Sequence, residues 1–211
     1  MIRLPIHEQL EQVKTIEAQA EDEFFANPHK RDREWWILGH VVALLAQTGH
    51  EHPNFAEPTE PPEPDFITYE DEDTTFKKIE IAEVLRFGRR RHEEIKKAFT
   101  SDTPVPKTIH PANDPFRSFR DVLISKFSKR YGLGCLLVMM HSMMIYEFPG
   151  PWACGWAAKL RDEYDVWRKG RSPVRLDESP YEKILVWNPS TDELVTIFPR
   201  WSIIHSPHNP L

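Results

Sequence analysis

Asp65 and Glu80 are the two residues of this chain whose types and spacing best suit chemistry. Pro64-Asp65 opens the strand-like run Phe66-Ile67-Thr68-Tyr69, and Glu80 lies within Lys77-Lys78-Ile79-Glu80-Ile81-Ala82-Glu83-Val84. Two carboxylates on neighbouring strands suit a hard divalent cation such as Mg²⁺ or Mn²⁺, which prefers oxygen ligands on a rigid frame. A metal held in this way activates water against a phosphodiester. In a regular strand Glu80 and Ala82 share one face while Ile79 and Ile81 share the other. A glutamate between two isoleucines is costly to bury unless it meets a cation or a hydrogen bond. The competing arrangement is an edge strand with Glu80 in solvent and Asp65 capping a loop.

Further residues could complete such a site. Lys78 lies two positions before Glu80, on the same strand face. The run Arg89-Arg90-Arg91-His92 follows the strand directly and could grip phosphates, the sequence-blind part of nucleic-acid affinity; a solvated basic face is the plain alternative. Glu83 points away from Glu80 and is expected to pair with one of the arginines after it. His50, His52, His92, His110 and His141 match no zinc-ligand spacing. The chain carries no P-loop, no Gly-rich dinucleotide fingerprint and no Gly-x-Ser-x-Gly elbow, so nucleotide-driven, hydride-transfer and serine-hydrolase chemistry lack support.

The elements that must position these residues are legible in outline. Apolar spacing predicts helices over 6–26, 31–48, 116–131 and 151–168, with a short basic helix over 89–99. Trp152, Trp156 and Trp167 fall at helical spacing, which marks a core or an interface. Strands are expected at 65–70 and 76–84 around the polar turn Asp71-Glu72-Asp73, and at 183–188 and 193–198 around Asn188–Asp192. Cys135–Met140 has the unbroken apolar character of a central strand buried on both faces. The proline- and acid-rich stretches 50–64 and 100–115 read as stiff irregular connections. The fold class is α/β (α+β): one mixed β-sheet flanked by helices, with residues 1–29 as a helical appendage and 30–211 as the main domain.

Composition sets the outer bounds. The chain has 211 residues, of which 40% are hydrophobic and 28% charged, enough for one well-filled core. The net charge of −6 weighs against bulk nucleic-acid binding. The charge is uneven, though, with acids over 51–73 and a basic excess between Arg86 and Arg130. Cys135 and Cys154 offer neither disulfide nor metal-ligand spacing, which suits a reducing, cytoplasmic compartment. Met1-Ile2-Arg3-Leu4-Pro5 leads straight into a charged helix rather than a signal sequence, and the apolar run Leu133–Ile145 is too short to span a bilayer. No membrane partner is expected.

The order of these elements and motifs resembles the PD-(D/E)XK nuclease superfamily, which has the restriction-endonuclease-like fold. Glu34 on the second helix resembles the family's helix-borne glutamate, Pro64-Asp65 the Pro-Asp strand, and Glu80 the glutamate of Glu-x-Lys. The segment Ile124–Tyr131 followed by Leu136-Leu137-Val138 resembles the helix and strand behind the family's active site, so the likeness spans roughly residues 30–140. The family's lysine falls at Ala82 here. The resemblance implies Mg²⁺ or Mn²⁺ held by Asp65, Glu80 and Glu34. It also implies that Lys126, or else Lys78, takes over from the missing lysine in steadying the attacking water, with Arg89, Arg90 and Arg91 on the backbone of a DNA or RNA substrate. Without such a replacement the same fold becomes a catalytically inactive module for nucleic-acid binding or protein assembly, for example a homo-oligomer joined through its tryptophan-rich C-terminal half.

Overall fold

Eight strands form one mixed sheet whose spatial order follows the chain: Leu4–Pro5 (β1), Phe55–Pro58 (β2), Phe66–Tyr69 (β3), Thr75–Val84 (β4), Cys135–His141 (β5), Lys183–Asn188 (β6), Glu193–Phe198 (β7) and Ser202–His205 (β8). Neighbours run antiparallel except β4–β5 and β5–β6, which are parallel. The computed structural model describes residues 2–19, 30–71, 73–84, 116–129, 131, 134–141, 156–169, 174–189 and 191–205. Within them lie four α-helices, Ile6–Gln19 (α1), Lys30–Gln47 (α2), Arg117–Phe127 (α3) and Trp156–Arg168 (α4), and none is long and apolar enough to cross a membrane. The basic helix expected over 89–99 and the connection 100–115 fall outside the described residues.

Strand alternation divides the core into two layers. Ile79, Ile81, Leu136, Val138, Leu185 and Trp187 face α1 and α2. Ala82, Val84, Leu137, Met139, Ile184 and Val186 face α3 and α4. The central strand β5 is buried at all seven positions, as its apolar run requires once both faces are covered. Trp156 and Trp167 are fully buried in the second layer, so they fill the chain's own core.

Helix α2 ends where its sequence says it should. Gly49 has φ +70°, and the bonds Gly49 N→Ala46 O and His50 N→Leu45 O close a Schellman cap. The β3–β4 turn is held by Asp71, whose carboxylate accepts the Asp73 and Thr74 amides.

Two expectations need correction. The stretch 50–64 is not wholly irregular, because Phe55–Pro58 forms β2 and pairs with β3 in register Ala56↔Thr68 and Pro58↔Phe66. Its prolines hid it: Pro58 ends the strand, where its missing N–H costs the ladder least. The second correction is that the sheet extends past both expected ends. β1 pairs with β2, and β8 pairs with β7 through Leu194↔Ile204. Ile6 and Val13 of the N-terminal segment join the first core layer.

Candidate active site

The site begins where two strands part. β3 and β4 pair through Ile67↔Lys78 and Phe66↔Ile79, and there the ladder stops. Asp65, the residue before Phe66, leaves the ladder beside the Ile81 amide. Pro64 precedes it and has no amide to donate, so the strand cannot continue. The Ile81 peptide therefore turns to side chains. Its N–H donates to Asp65 Oδ2 at 2.8 Å, and its carbonyl accepts Lys126 Nζ at 2.9 Å. The turn before Asp65 is pinned by Arg31, which donates to Asp65 O at 3.0 Å and to Thr59 O at 2.6 Å.

Glu80 is 1% exposed and points into the second layer, towards the end of α3. There Lys126 and Lys129 both donate to its Oε1, Lys129 at 2.8 Å. Ala82, on the same strand face, packs in the cluster with Phe119 and Leu123 of α3. A small residue at 82 thus underlies the helix that brings Lys126 to Glu80. Tyr181 holds the helix end by donating its hydroxyl to Lys126 O at 3.1 Å. Burial alone would lower Lys129, but Glu80 and Tyr131 outweigh it and keep the ammonium charged, while burial pushes Tyr131 up to about 12.

Glu34 reaches the site from α2 and is 5% exposed. Its Oε1 lies 2.6 Å from Lys30 Nζ, and its Oε2 lies 3.2 Å from Arg31 Nη1. The Lys30 contact is an ion pair without hydrogen-bond alignment, so Oε1 is a buried oxygen short of a proper donor. Lys30 also meets Asp65 Oδ1 at 3.2 Å. Burial raises Glu34 to about 7, with the Asp65 charge adding to it and Lys30 opposing. Burial would raise Asp65 too, but the Ile81 amide, Lys30 and Glu34 together hold it below its ordinary value. The two carboxyls are thus shifted in opposite directions, as happens when close carboxylates cannot both ionise freely.

Asp65, Glu80, Lys126 and Glu34 therefore surround one fork in the sheet. Lys78 does not join them, because its ammonium bonds Glu63 Oε2 at 3.1 Å. Glu83 contacts Arg33 on α2 at 3.0 Å, a partner that precedes it in the chain. Arg89, Arg90 and Arg91 lie outside the described residues, as do His92 and His110. His141 is fully buried and accepts the Trp156 indole N–H at 3.0 Å; burial lowers it to about 4. Sequence reasoning missed two members, Lys30 and Lys129. Both left a trace in helical spacing: Lys30 is four residues before Glu34, and Lys129 is three after Lys126.

Asp65, Glu80 and Glu34 each offer carboxylate oxygens of the kind Mg²⁺ or Mn²⁺ takes, without thiolate or imidazole. Among the described residues no group of three or more His, Cys, Asp or Glu side chains stands ready as a cation cage. Mg²⁺ needs only one or two protein carboxylates and keeps several waters, so the residues present fit such an ion. Comparisons with protein-family models, with curated proteins and with solved structures found no match for this chain.

Proposed function

We propose that this chain is a metal-dependent phosphodiesterase acting on nucleic acid, built on the PD-(D/E)XK pattern with its lysine moved from the strand to α3. The observation that carries the reading is the fork itself. Asp65 takes the Ile81 amide, next to Glu80, where β3 leaves β4, and Lys126 bonds both Glu80 and the Ile81 carbonyl. Asp65, Glu80 and Glu34 are the residues to hold Mg²⁺ or Mn²⁺, which when bound supplies Lewis acidity and a more acidic water. Lys126 stands at the fork, bonded to Glu80 and the Ile81 carbonyl, where it faces a phosphate and orients a water through its N–H groups. Lys129 shares Glu80 Oε1 with it, while the Ile81 carbonyl holds Lys126 in place. The Ile81 amide fixes Asp65, which lowers the cost of presenting a carboxylate in a half-buried position. The Arg89–Arg91 run follows β4 directly in sequence and is the proposed grip on flanking backbone.

A second reading has an observation of its own. Glu80 already meets two ammonium groups on one oxygen, and Lys30 already bridges Glu34 and Asp65. These lysines neutralise the carboxylates without any ion, as an inactive binding or assembly module would need.

Purified protein mixed with plasmid, single-stranded DNA and RNA, each in Mn²⁺ and in EDTA, separates the two. The nuclease reading expects Mn²⁺-dependent cleavage that Asp65→Ala or Glu80→Ala abolishes. Absence of cleavage in every case, or cleavage indifferent to both substitutions, rejects it.

A further inference from the structure

We infer that Lys30 is a resident counter-cation which competes with the divalent ion for Glu34 and Asp65, and so sets how tightly the site takes metal; this rests on the metal-site reading above. Lys30 occupies the first position of α2, with its side chain 73% exposed, while Glu34 and Asp65 are only 7% and 12% exposed. The ammonium thus caps the carboxylate pair from the solvent side, the direction from which an ion arrives. It lies 2.6 Å from Glu34 and 3.2 Å from Asp65, too close for a divalent cation to bind both acids while it stays.

Lys126 and Lys129 differ in kind. Lys126 is 17% exposed and tied to the Ile81 carbonyl as well as to Glu80, so it is built into the sheet edge. Lys30 has a flexible stem, and the contact of its ammonium with Glu34 lacks hydrogen-bond alignment. It is the amine most easily displaced. Its ammonium faces solvent and holds the pair through one hydrogen bond, to Asp65 Oδ1 at 3.2 Å, so it is a competitor that a divalent ion can replace. Once displaced, the ammonium stays tethered beside the ion, on the side open to an anionic substrate. A phosphate that takes up this charge removes the competitor, so anion and metal bind with positive coupling, and the coupling is reciprocal.

The test is Mn²⁺ affinity, read from the rise in melting temperature during Mn²⁺ titration at about pH 8. Wild type is compared with Lys30→Met, Lys30→Arg and the distant surface control Lys14→Met. Lys30→Met is expected to bind Mn²⁺ about fivefold more tightly than wild type, with Lys30→Arg and Lys14→Met close to wild type. Unchanged or weaker Mn²⁺ binding by Lys30→Met, with wild type still responding to the ion, overturns the competitor role and leaves the metal site standing. No response to Mn²⁺ from either protein removes the metal site and the inference together.

Discussion

Asp65 Oδ2 accepts the backbone N–H of Ile81 at 2.8 Å, taking the place of the strand partner that β4 loses when β3 ends at Phe66. This one bond gives Asp65 a fixed position one peptide from Glu80. It also links stability to the proposed chemistry, since the group that finishes the sheet edge is the group proposed to hold an ion.

Replacing Asp65 by alanine leaves the Ile81 amide without its acceptor and unties Lys30. The expected cost is about 1–3 kcal/mol of stability by urea unfolding, the range for a half-buried donor left unmade. A loss indistinguishable from zero means that water satisfies that amide and that Asp65 does not complete the edge.

The two lysines on Glu80 should be redundant singly and indispensable together. With Lys126→Ala or Lys129→Ala, one ammonium still meets the buried carboxylate. With both replaced, Glu80 is an uncompensated buried charge, and the expected loss is about 3–5 kcal/mol. A double-mutant cycle should therefore show a double loss larger than the sum of the singles. Strict additivity contradicts this sharing.

Glu34 gives a pH signature. Its carboxyl is raised from 4.5 to about 7 in the folded chain, chiefly by burial. The folded state therefore keeps a proton that the unfolded chain has released. The associated stability is complete below the ordinary value and is lost as pH rises through about 7. Asp65, shifted the other way, contributes stability that is lost only on stronger acidification. Melting temperatures measured from about pH 5 to about pH 8 should fall for wild type relative to Glu34→Gln. Parallel curves would show that Glu34 ionises normally.

Gly39 tests whether α1 belongs to the core. A Cβ built there would stand 2.8 Å from Leu10 Cβ, so α1 and α2 must move apart to admit it. Alanine gains about 1 kcal/mol in helix propensity, but the overpacking costs about 1–3 kcal/mol. Gly39→Ala should thus be neutral to clearly destabilising, and pairing it with Leu10→Ala should recover part of the loss attributed to the clash. A stabilised Gly39→Ala would show that the two helices separate freely.

Much of the mixed α/β architecture was readable because single-residue patterns carried it. β5 is apolar throughout, Gly49 marks the end of α2, and Asp71 marks the β3–β4 turn. The first two strands of the sheet were not readable. Leu4–Pro5 and Phe55–Pro58 contain proline and are short, so their pairing comes from neighbours rather than from propensity. For the site, Asp65 and Glu80 stood out by residue type. The position of Lys126 at Glu80 depends on a contact 46 residues distant, which no local spacing encodes. Strand periodicity fixes the face of Lys78 and not its partner, which is Glu63 in the preceding turn.

The most direct measurement is calorimetric titration of Mn²⁺ into the wild-type chain and into Asp65→Asn and Glu80→Gln at about pH 8, in the absence of nucleic acid. Joint use of the two carboxylates predicts saturable binding by wild type that either substitution weakens at least about tenfold. Equal binding by all three proteins, or no binding by any, contradicts it.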